Sequence, residues 1–364
     1  MARITQKEIA RRLNLSQSLV AGVLNNRPGV WVSPENRERI LRLARELNYR
    51  PNTAARALRR GRTEVVACVF FGPAGYSAIV ETLADVVAEK DYDLLVKVVL
   101  NEEQAALHIA KLMAPGTCDA VILWGLERDI EKPAAQFAEI GIPFVVKGRF
   151  EEAHPQWYQA DFDHEAMMRH ALEFLKAKGH RRIAYLGYDD GLVYSQKLFK
   201  GYVQAFYDLF GEEPPQTFLG FIVGQGLPEE HEAAMLMERW LALPEQERPT
   251  AAVSAAGRGT WYGVEMALAR HSMRLGFQPG EFAMAGQGGT EMPLLFGEGY
   301  AYHDVDFITL ARAMGQKLLL PLLEGQKPER HILRLLPQLR PMETLRFPVA
   351  VASQLSAELS PSTN

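Results

Sequence analysis

The hydrophobic rhythm of the chain changes near residue 64. Before it, apolar residues recur three and four positions apart in short stretches, the spacing of helices with one buried face. TQKEIARRL (5–13) predicts a first helix, with Thr5 as N-cap, Glu8 as its capping-box partner, and Ile9 and Leu13 on one face. After the tight connection Asn14-Leu15, Ser16 is placed to cap a second helix over 17–25. A third runs from Pro34 to Asn48, with Ile40, Leu41, Leu43, Ala44 and Leu47 apolar and Pro34 suited to the first turn. Two short helices joined by a tight turn and followed by a third predict a helix-turn-helix unit. In YRPNTAARALRRGRT (49–63), Pro51 and Asn52 allow a helix of two turns at most. A helix so short is marginal alone in water and is expected to order on contact with something else.

Beyond residue 64, apolar runs alternate with amphipathic stretches. VVACVFF (65–71), YDLLVKVV (92–99), CDAVILWG (118–125) and IPFVVKG (142–148) are strand-like, separated by helices near 77–90, 102–113 and 131–140. The pattern repeats as RIAYLGY (182–188), helix 195–210, QTFLGFI (216–222), helix 229–243, AAVSAA (251–256), helix 260–271 and EFAMAGQ (281–287). Strands alternating with helices predict parallel sheets with right-handed crossovers. Two such runs predict two doubly wound lobes behind the helical head, an α/β fold that favours ligands at strand carboxyl ends and between lobes.

Charge sharpens this division. Residues 1–62 hold 14 Lys/Arg, thirteen of them Arg, against 4 Asp/Glu, a net of +10 within a chain whose total is −4. A basic head on an acidic body suggests that only the head meets a polyanion. With 364 residues and 48% apolar composition the chain can bury a sizeable core, and no run of ~20 apolar residues suggests a membrane span. MARITQKEIARR carries no export signal, so a cytoplasmic location is expected. Cys68 and Cys118 fit buried thiols better than a disulfide framework or a zinc site.

These features resemble the lactose-repressor/galactose-repressor family of bacterial transcription regulators. The head carries the likeness in IAxxLNLS, in Val23–Asn25, in VSPENRERI (32–40) and in LNYRPNTAARALRRGRT (47–63). The body carries it in GIPFVVKGR (141–149), KGHRRIAYLG (178–187), TAAVSAAGRG (250–259) and LARAMGQKLLLPLLEG (310–325). The resemblance implies a DNA-binding head over 1–48 and a hinge over 49–62. It implies a first lobe of periplasmic-binding-protein type from 63–162 and 291–322, and a second from 163–290 and 323–353. The tail, 354–364, is expected to be disordered. It further implies a homodimer on a pseudo-palindromic double-stranded operator, most often as a repressor, with a small effector between the lobes. A tetramer is left open, since the tail shows no apolar heptad run.

On DNA, the resemblance assigns base reading to Gln17 and Ser18, where Gln pairs bidentately with adenine and Ser serves several bases. The other expected contacts are Thr5, Ser16, Gly22, Asn25 and Arg27 in the head and Tyr49, Asn52, Ala55, Arg56 and Leu58 at the hinge. Paired Leu58 side chains are implied to enter the minor groove and kink it. Two departures stand out. Where the family usually has Thr-Val-Ser-Arg, this chain has Leu19-Val20-Ala21-Gly22. Either the arginine was simply lost, or Gly22 lets the helix sit closer to the groove floor with Leu19 or Ala21 against a thymine methyl. The loop NNRPGVWVSPE is also about two residues longer than usual. Its Trp31 is expected to pack on the head's own core, with contact to the sugar-phosphate backbone as the alternative.

The cleft departs further. At three positions where sugar-binding members carry an Arg and two Asp, this chain has Leu198, Arg258 and Gly288. An anionic effector is therefore expected, held by Arg149, Lys197 and Arg258, with Gln287 beside them and Tyr76, Trp124, Tyr194 and Phe221 as ring contacts. Tyr188 and Trp261 are further aromatics in matching loops, and each ring is equally explained as ordinary packing. No cofactor is called for. Gly257-x-Gly259-x-x-x-Gly263 has the look of a dinucleotide phosphate loop but lacks the acidic residue expected after it. His164–Met168 begins like a zincin helix and has Met where the second His is required, so no metal is expected. Three alternatives remain: a free solute-binding protein, a regulator that responds to no small effector, and an enzyme, for which no acid-base pair stands out.

Overall fold

The computed structural model describes residues 4–25, 29–49, 61–72, 76–224, 226–288 and 299–342. They fall into two compact units, Met1–Glu64 and Val65–Asn364.

The first unit is built on α1 (Gln6–Leu13), α2 (Gln17–Leu24) and α3 (Pro34–Glu46). Ile9, Ala10, Val20, Val23, Ile40 and Ala44 form its core, with Leu13, Leu15, Val32, Leu43, Leu47 and Tyr49 around them. All three helices begin on a hydroxyl cap: Thr5, Ser16 and Ser33 accept backbone N–H groups at 3.3, 3.2 and 3.3 Å. The expected capping box keeps only its Thr5 half. The Glu8 carboxylate accepts instead from Arg11 and Arg12, each at 2.8 Å, because opposite charges three and four residues apart face each other on a helix. These two guanidiniums hold the exposed Glu8 carboxyl down at about 2.

The second unit carries two six-stranded sheets. The first has the order β11-β5-β4-β3-β1-β2 and is parallel throughout. Its strands are β1 (Val65–Phe71), β2 (Asp93–Val99), β3 (Ala120–Trp124), β4 (Phe144–Lys147), β5 (Tyr158–Phe162) and β11 (Ile332–Leu335). The second sheet, β12-β10-β9-β8-β6-β7, comprises β6 (Ile183–Tyr188), β7 (Leu219–Ile222), β8 (Ala251–Ser254), β9 (Ala283–Gly288), β10 (Tyr300–Asp304) and β12 (Leu339–Met342). Only the β10–β12 pair is antiparallel. Helices α4 (Ser77–Ala88), α5 (Glu102–Met113) and α6 (Glu127–Ile140) connect strands of the first sheet. Beyond β5 come α7 (His164–Ala177), α8 (Val193–Phe210), α9 (Glu229–Leu241), α10 (Arg258–Arg270) and α11 (Phe307–Met314).

Covering helices explain the unbroken apolar runs. In β1, Val66, Cys68 and Phe70 enter one core and Ala67, Val69 and Phe71 the other, so every side chain is buried on one face or the next. Cys68 and Cys118 are free and buried, and burial pushes the Cys118 thiol up to about 11.

Three segments join the lobes, following β5, β10 and β11. β10 pairs in the second sheet and β11 in the first, although the sequence reading assigned 291–322 to the first lobe and 323–353 to the second. The crossings interlock. The Asp163 N–H donates to Leu335 O at 2.8 Å, the Asp304 N–H to Gln338 O at 3.0 Å, and Arg340 bridges Asp304 at 2.8 Å.

Just before one crossing lies His303, fully buried, its Nδ1 3.2 Å from Gly286 O and its ring 6.4 Å from that of His170. Burial holds its pKa down to about 4, from an ordinary value of 6.5. Between these values the unfolded chain binds a proton that the folded chain does not, so stability falls as pH drops from about 6.5 to about 4. His303→Gln is expected to flatten that slope in urea denaturation measured between pH 7 and 4.5.

Candidate DNA-reading head and ligand cleft

In the head, Gln17 and Ser18 stand exposed on the first turn of α2. The Ser16 oxygen caps the helix and lies 3.1 Å from Ser18 Oγ, which leaves Ser16 a structural part. Thr5 likewise caps α1, while Asn25 closes α2 by donating its side-chain amide to Ala21 O at 2.6 Å. Tyr49 packs on the head core. Arg27, Asn52, Ala55, Arg56 and Leu58 lie outside the described residues.

Position 22 is a tertiary matter. A Cβ added to Gly22 would stand 2.8 Å from both methyl carbons of Val30, so the loop after α2 folds onto the place of the missing side chain. Gly22 and Ala21 are both buried, and neither offers a surface to a groove floor or a thymine methyl. Only Leu19 keeps partial exposure. Trp31 departs from expectation too: it is 87% exposed rather than packed on the core. Val30 and Val32 face inward on either side of it, and in extended backbone the residue between two inward neighbours faces out.

The body gathers charge where its lobes meet. A cavity of about 460 Å³ is bounded by the start of α6 (Glu127, Arg128, Glu131), the β4–β5 connection (149–153) and the start of α8 (Val193, Gln196, Lys197, Lys200). Arg149 and Lys197, both expected at the ligand, are brought together here. Each already has a carboxylate. The Arg149 guanidinium donates to Glu151 Oε1 from Nε at 2.7 Å and to Glu165 Oε2 from Nη1 at 2.8 Å. Its backbone N–H donates to the buried Glu127 at 3.3 Å. Burial works to lower the Arg149 pKa, but Glu151 and Glu165 outweigh it and carry it above the ordinary value. Lys197 is paired with Glu152.

The other expected ligand residues do not line this cavity. Tyr76 stacks on Phe70 at 4.2 Å, and Trp124 is buried between Phe70 and Phe307. Phe221 packs on Tyr185 and Phe199. Tyr194 follows Val193 and reaches Asp190 at 3.5 Å. Arg258 opens α10, while Gln287 on β9 keeps a buried Oε1 without a hydrogen-bond partner. Leu198 is fully buried in the core.

Sequence reading missed a cluster at the carboxyl ends of β4 and β5. Lys147 Nζ lies 3.3 Å and His164 Nε2 3.7 Å from Asp161 Oδ2. Burial works to raise the Asp161 pKa, but Lys147 and His164 hold it well below the usual carboxylate range. Neither His164 ring nitrogen has a hydrogen-bond partner. The signal was ADFDH, an acid inside an otherwise strand-like run.

The glycine-rich turn before α10 is filled from within. Glu229 accepts from the Tyr188 hydroxyl at 2.9 Å and the Thr260 N–H at 3.2 Å, and a Cβ at Gly259 would meet its side chain at 2.9 Å. The helix N-terminus that would cradle a phosphate thus holds a carboxylate of this chain. Among the described residues no three His, Cys, Asp or Glu side chains are grouped to hold a metal, and no helix is long and apolar enough to cross a membrane.

No family model matches the chain. Over 208 residues it is 30% identical to the HTH-type transcriptional regulator AglR of Rhizobium meliloti, a match covering 56% of this chain and 57% of AglR. With the probable HTH-type transcriptional repressor ExuR of Bacillus subtilis it shares 29% over 254 residues, 68% of this chain and 72% of that one. Among solved structures, the lac repressor dimer bound to operator and an anti-inducer aligns over 94% of this chain and 99% of its own, with a TM-score of 0.73 at 21% identity.

Proposed function

We propose, from the premise of a chain that resembles HTH-type transcriptional regulators in sequence and the lactose repressor in fold, that this protein is a sequence-specific DNA-binding regulator. It acts as a repressor, as a dimer on a pseudo-palindromic operator, in the cytoplasm beside the DNA it reads. The observation that carries this reading is α2: a capped helix that exposes Gln17 and Ser18 at its start, within residues 1–62 of net charge +10. The first turn of such a helix reaches base edges in the major groove, while the arginines supply the phosphate attraction. A free solute-binding protein would have no use for this head.

The effector reading changes with the cavity. Two of the three cations expected to hold an anion, Arg149 and Lys197, are neutralised by Glu151, Glu165 and Glu152, so an anion bound to them would have to displace those carboxylates. A cavity lined by four Glu and four Lys/Arg favours a polyhydroxylated or zwitterionic molecule, which uses donors and acceptors together. Ligand-driven lobe rotation about the three crossings then alters the spacing of the paired hinges.

Binding sites selected from a randomised duplex pool, at near-physiological salt, test the DNA reading. A pseudo-palindrome with a deformable central step is expected, and recovery of unsorted sequence with and without candidate metabolites counts against it. On the selected site Gln17→Ala should lose about 5- to 150-fold in affinity, the worth of one bidentate base contact. Binding to random duplex should be unchanged, because no charge is removed. Fluorescence anisotropy with labelled duplexes reads both.

A further inference from the structure

We propose that the segment 29–32, which leads into α3, is part of the DNA-reading surface and that Trp31 is the residue it lays against the duplex. The contact is with the sugar-phosphate backbone that flanks the bases read by Gln17 and Ser18. This inference rests on the regulator reading and adds a contact to it.

Three observations carry it. The segment is docked on the recognition helix itself: Val30 fills the space a residue-22 side chain would take, and position 22 lies one turn beyond Ser18 on the same face. The loop therefore continues the surface that Ser18 begins. Second, Trp31 is held outward. It is 87% exposed between two inward valines, whereas Trp124, Trp157, Trp240 and Trp261 are at most 4% exposed. Third, the surroundings select the occupant. Residues 1–62, with 14 Lys/Arg against 4 Asp/Glu, draw a polyanion, and an indole suits the backbone of one. Its face covers the apolar deoxyribose and its N–H donates to a phosphate oxygen.

The protein contains its own probe. Because the other four indoles are buried, Trp31 supplies the emission that acrylamide quenches most readily. The experiment titrates full-length protein with the selected operator duplex, following acrylamide quenching alongside anisotropy of the labelled duplex. Occupied protein is expected to lose the accessible fraction and shift its emission to the blue, and Trp31→Phe should be insensitive to both. Trp31→Ala should lower operator affinity about tenfold with an unchanged salt slope, since no charge is lost. An exposed residue can be changed with little effect on folding, which a thermal melt of the variant checks. Gly22→Ala, which crowds Val30 without removing any side chain, should also weaken binding. Trp31 remaining open to quencher in protein that anisotropy shows to be bound would overturn the proposal alone. So would an unchanged affinity in Trp31→Ala. Failure to bind any duplex would defeat the regulator reading and this proposal with it.

Discussion

Arg149→Met is expected to cost the body about 3–5 kcal/mol, the usual penalty for removing one partner of a buried ion pair. The Arg149 side chain is only 2% exposed and sits between Glu151, 12% exposed, and Glu165, 30% exposed. Methionine fills much of the volume but takes the guanidinium from both carboxylates, leaving Glu151 to the half-exposed Arg334 at 3.1 Å. Urea denaturation at pH 7 reads the loss. The pH dependence separates charge from packing. Burial works to raise the Glu151 and Glu165 pKa values, but Arg149 keeps both below the ordinary 4.5. Their stabilisation is therefore full above about 4.5 and lost as pH falls through the lowered values. In the variant the buried guanidinium is gone and the half-exposed Arg334 remains beside Glu151, so the deficit should shrink as pH approaches 4. A deficit that stays constant with pH would assign the loss to packing. Because Arg149 joins the β4–β5 connection to the first turn of α7, the same substitution should loosen the coupling between lobes and blunt any response to effector.

Gly286→Val is expected to be more disruptive still. Gly286 sits in β9 at φ +148°, where a side chain is strained, and an added Cβ would fall on the Ser254 carbonyl oxygen of neighbouring β8. β8 and β9 are the two central strands of the second sheet, so relief by moving either one breaks the sheet in the middle. A loss above about 4 kcal/mol follows, at the severe end for single substitutions. The head has its own core and belongs to a separate compact unit. The variant should therefore show head helicity and salt-sensitive, non-specific DNA binding after the body has lost its cooperative transition. Circular dichroism melts and anisotropy at two salt concentrations test this. A single transition that removes head and body together would contradict it.

What could be read in the sequence was what neighbouring residues decide. β1 and β6 stand out because strands covered on both faces are continuous apolar runs, the first two head helices because each begins on a hydroxyl cap, and the third because Pro34 opens an apolar helical spacing. β5 did not stand out, since YQADF buries Gln159 and Asp161. Their partners include groups well away in sequence, the Phe150 N–H at 2.5 Å and Lys147. β11 and β12, reading ILRL and LRPM, look like loops until the neighbouring strands are in place. In the head, Gln17 and Ser18 come from the family resemblance, the capping pattern giving Ser16 before them, whereas the reason for Gly22 lies eight residues on in Val30. Arg149 stands out for its charge, yet of the two carboxylates that consume it one, Glu165, comes from a separate element. Trp31 was the opposite case. The Val-Trp-Val alternation already showed which way it faces, and its size suggested a core residue instead.

The placement of β11 and β12 also bears on the order in which a growing chain becomes competent. Each sheet takes one of its strands from residues 332–342, so neither lobe can complete its pairing until the ribosome has passed that point. The head needs nothing beyond its first 64 residues for its own core. At roughly 5–20 residues per second, a nascent chain spends on the order of 15 s to a minute with a finished helical head and an unfinished two-lobed body. Prematurely terminated chains would keep the basic head and lose the body that encloses the cavity.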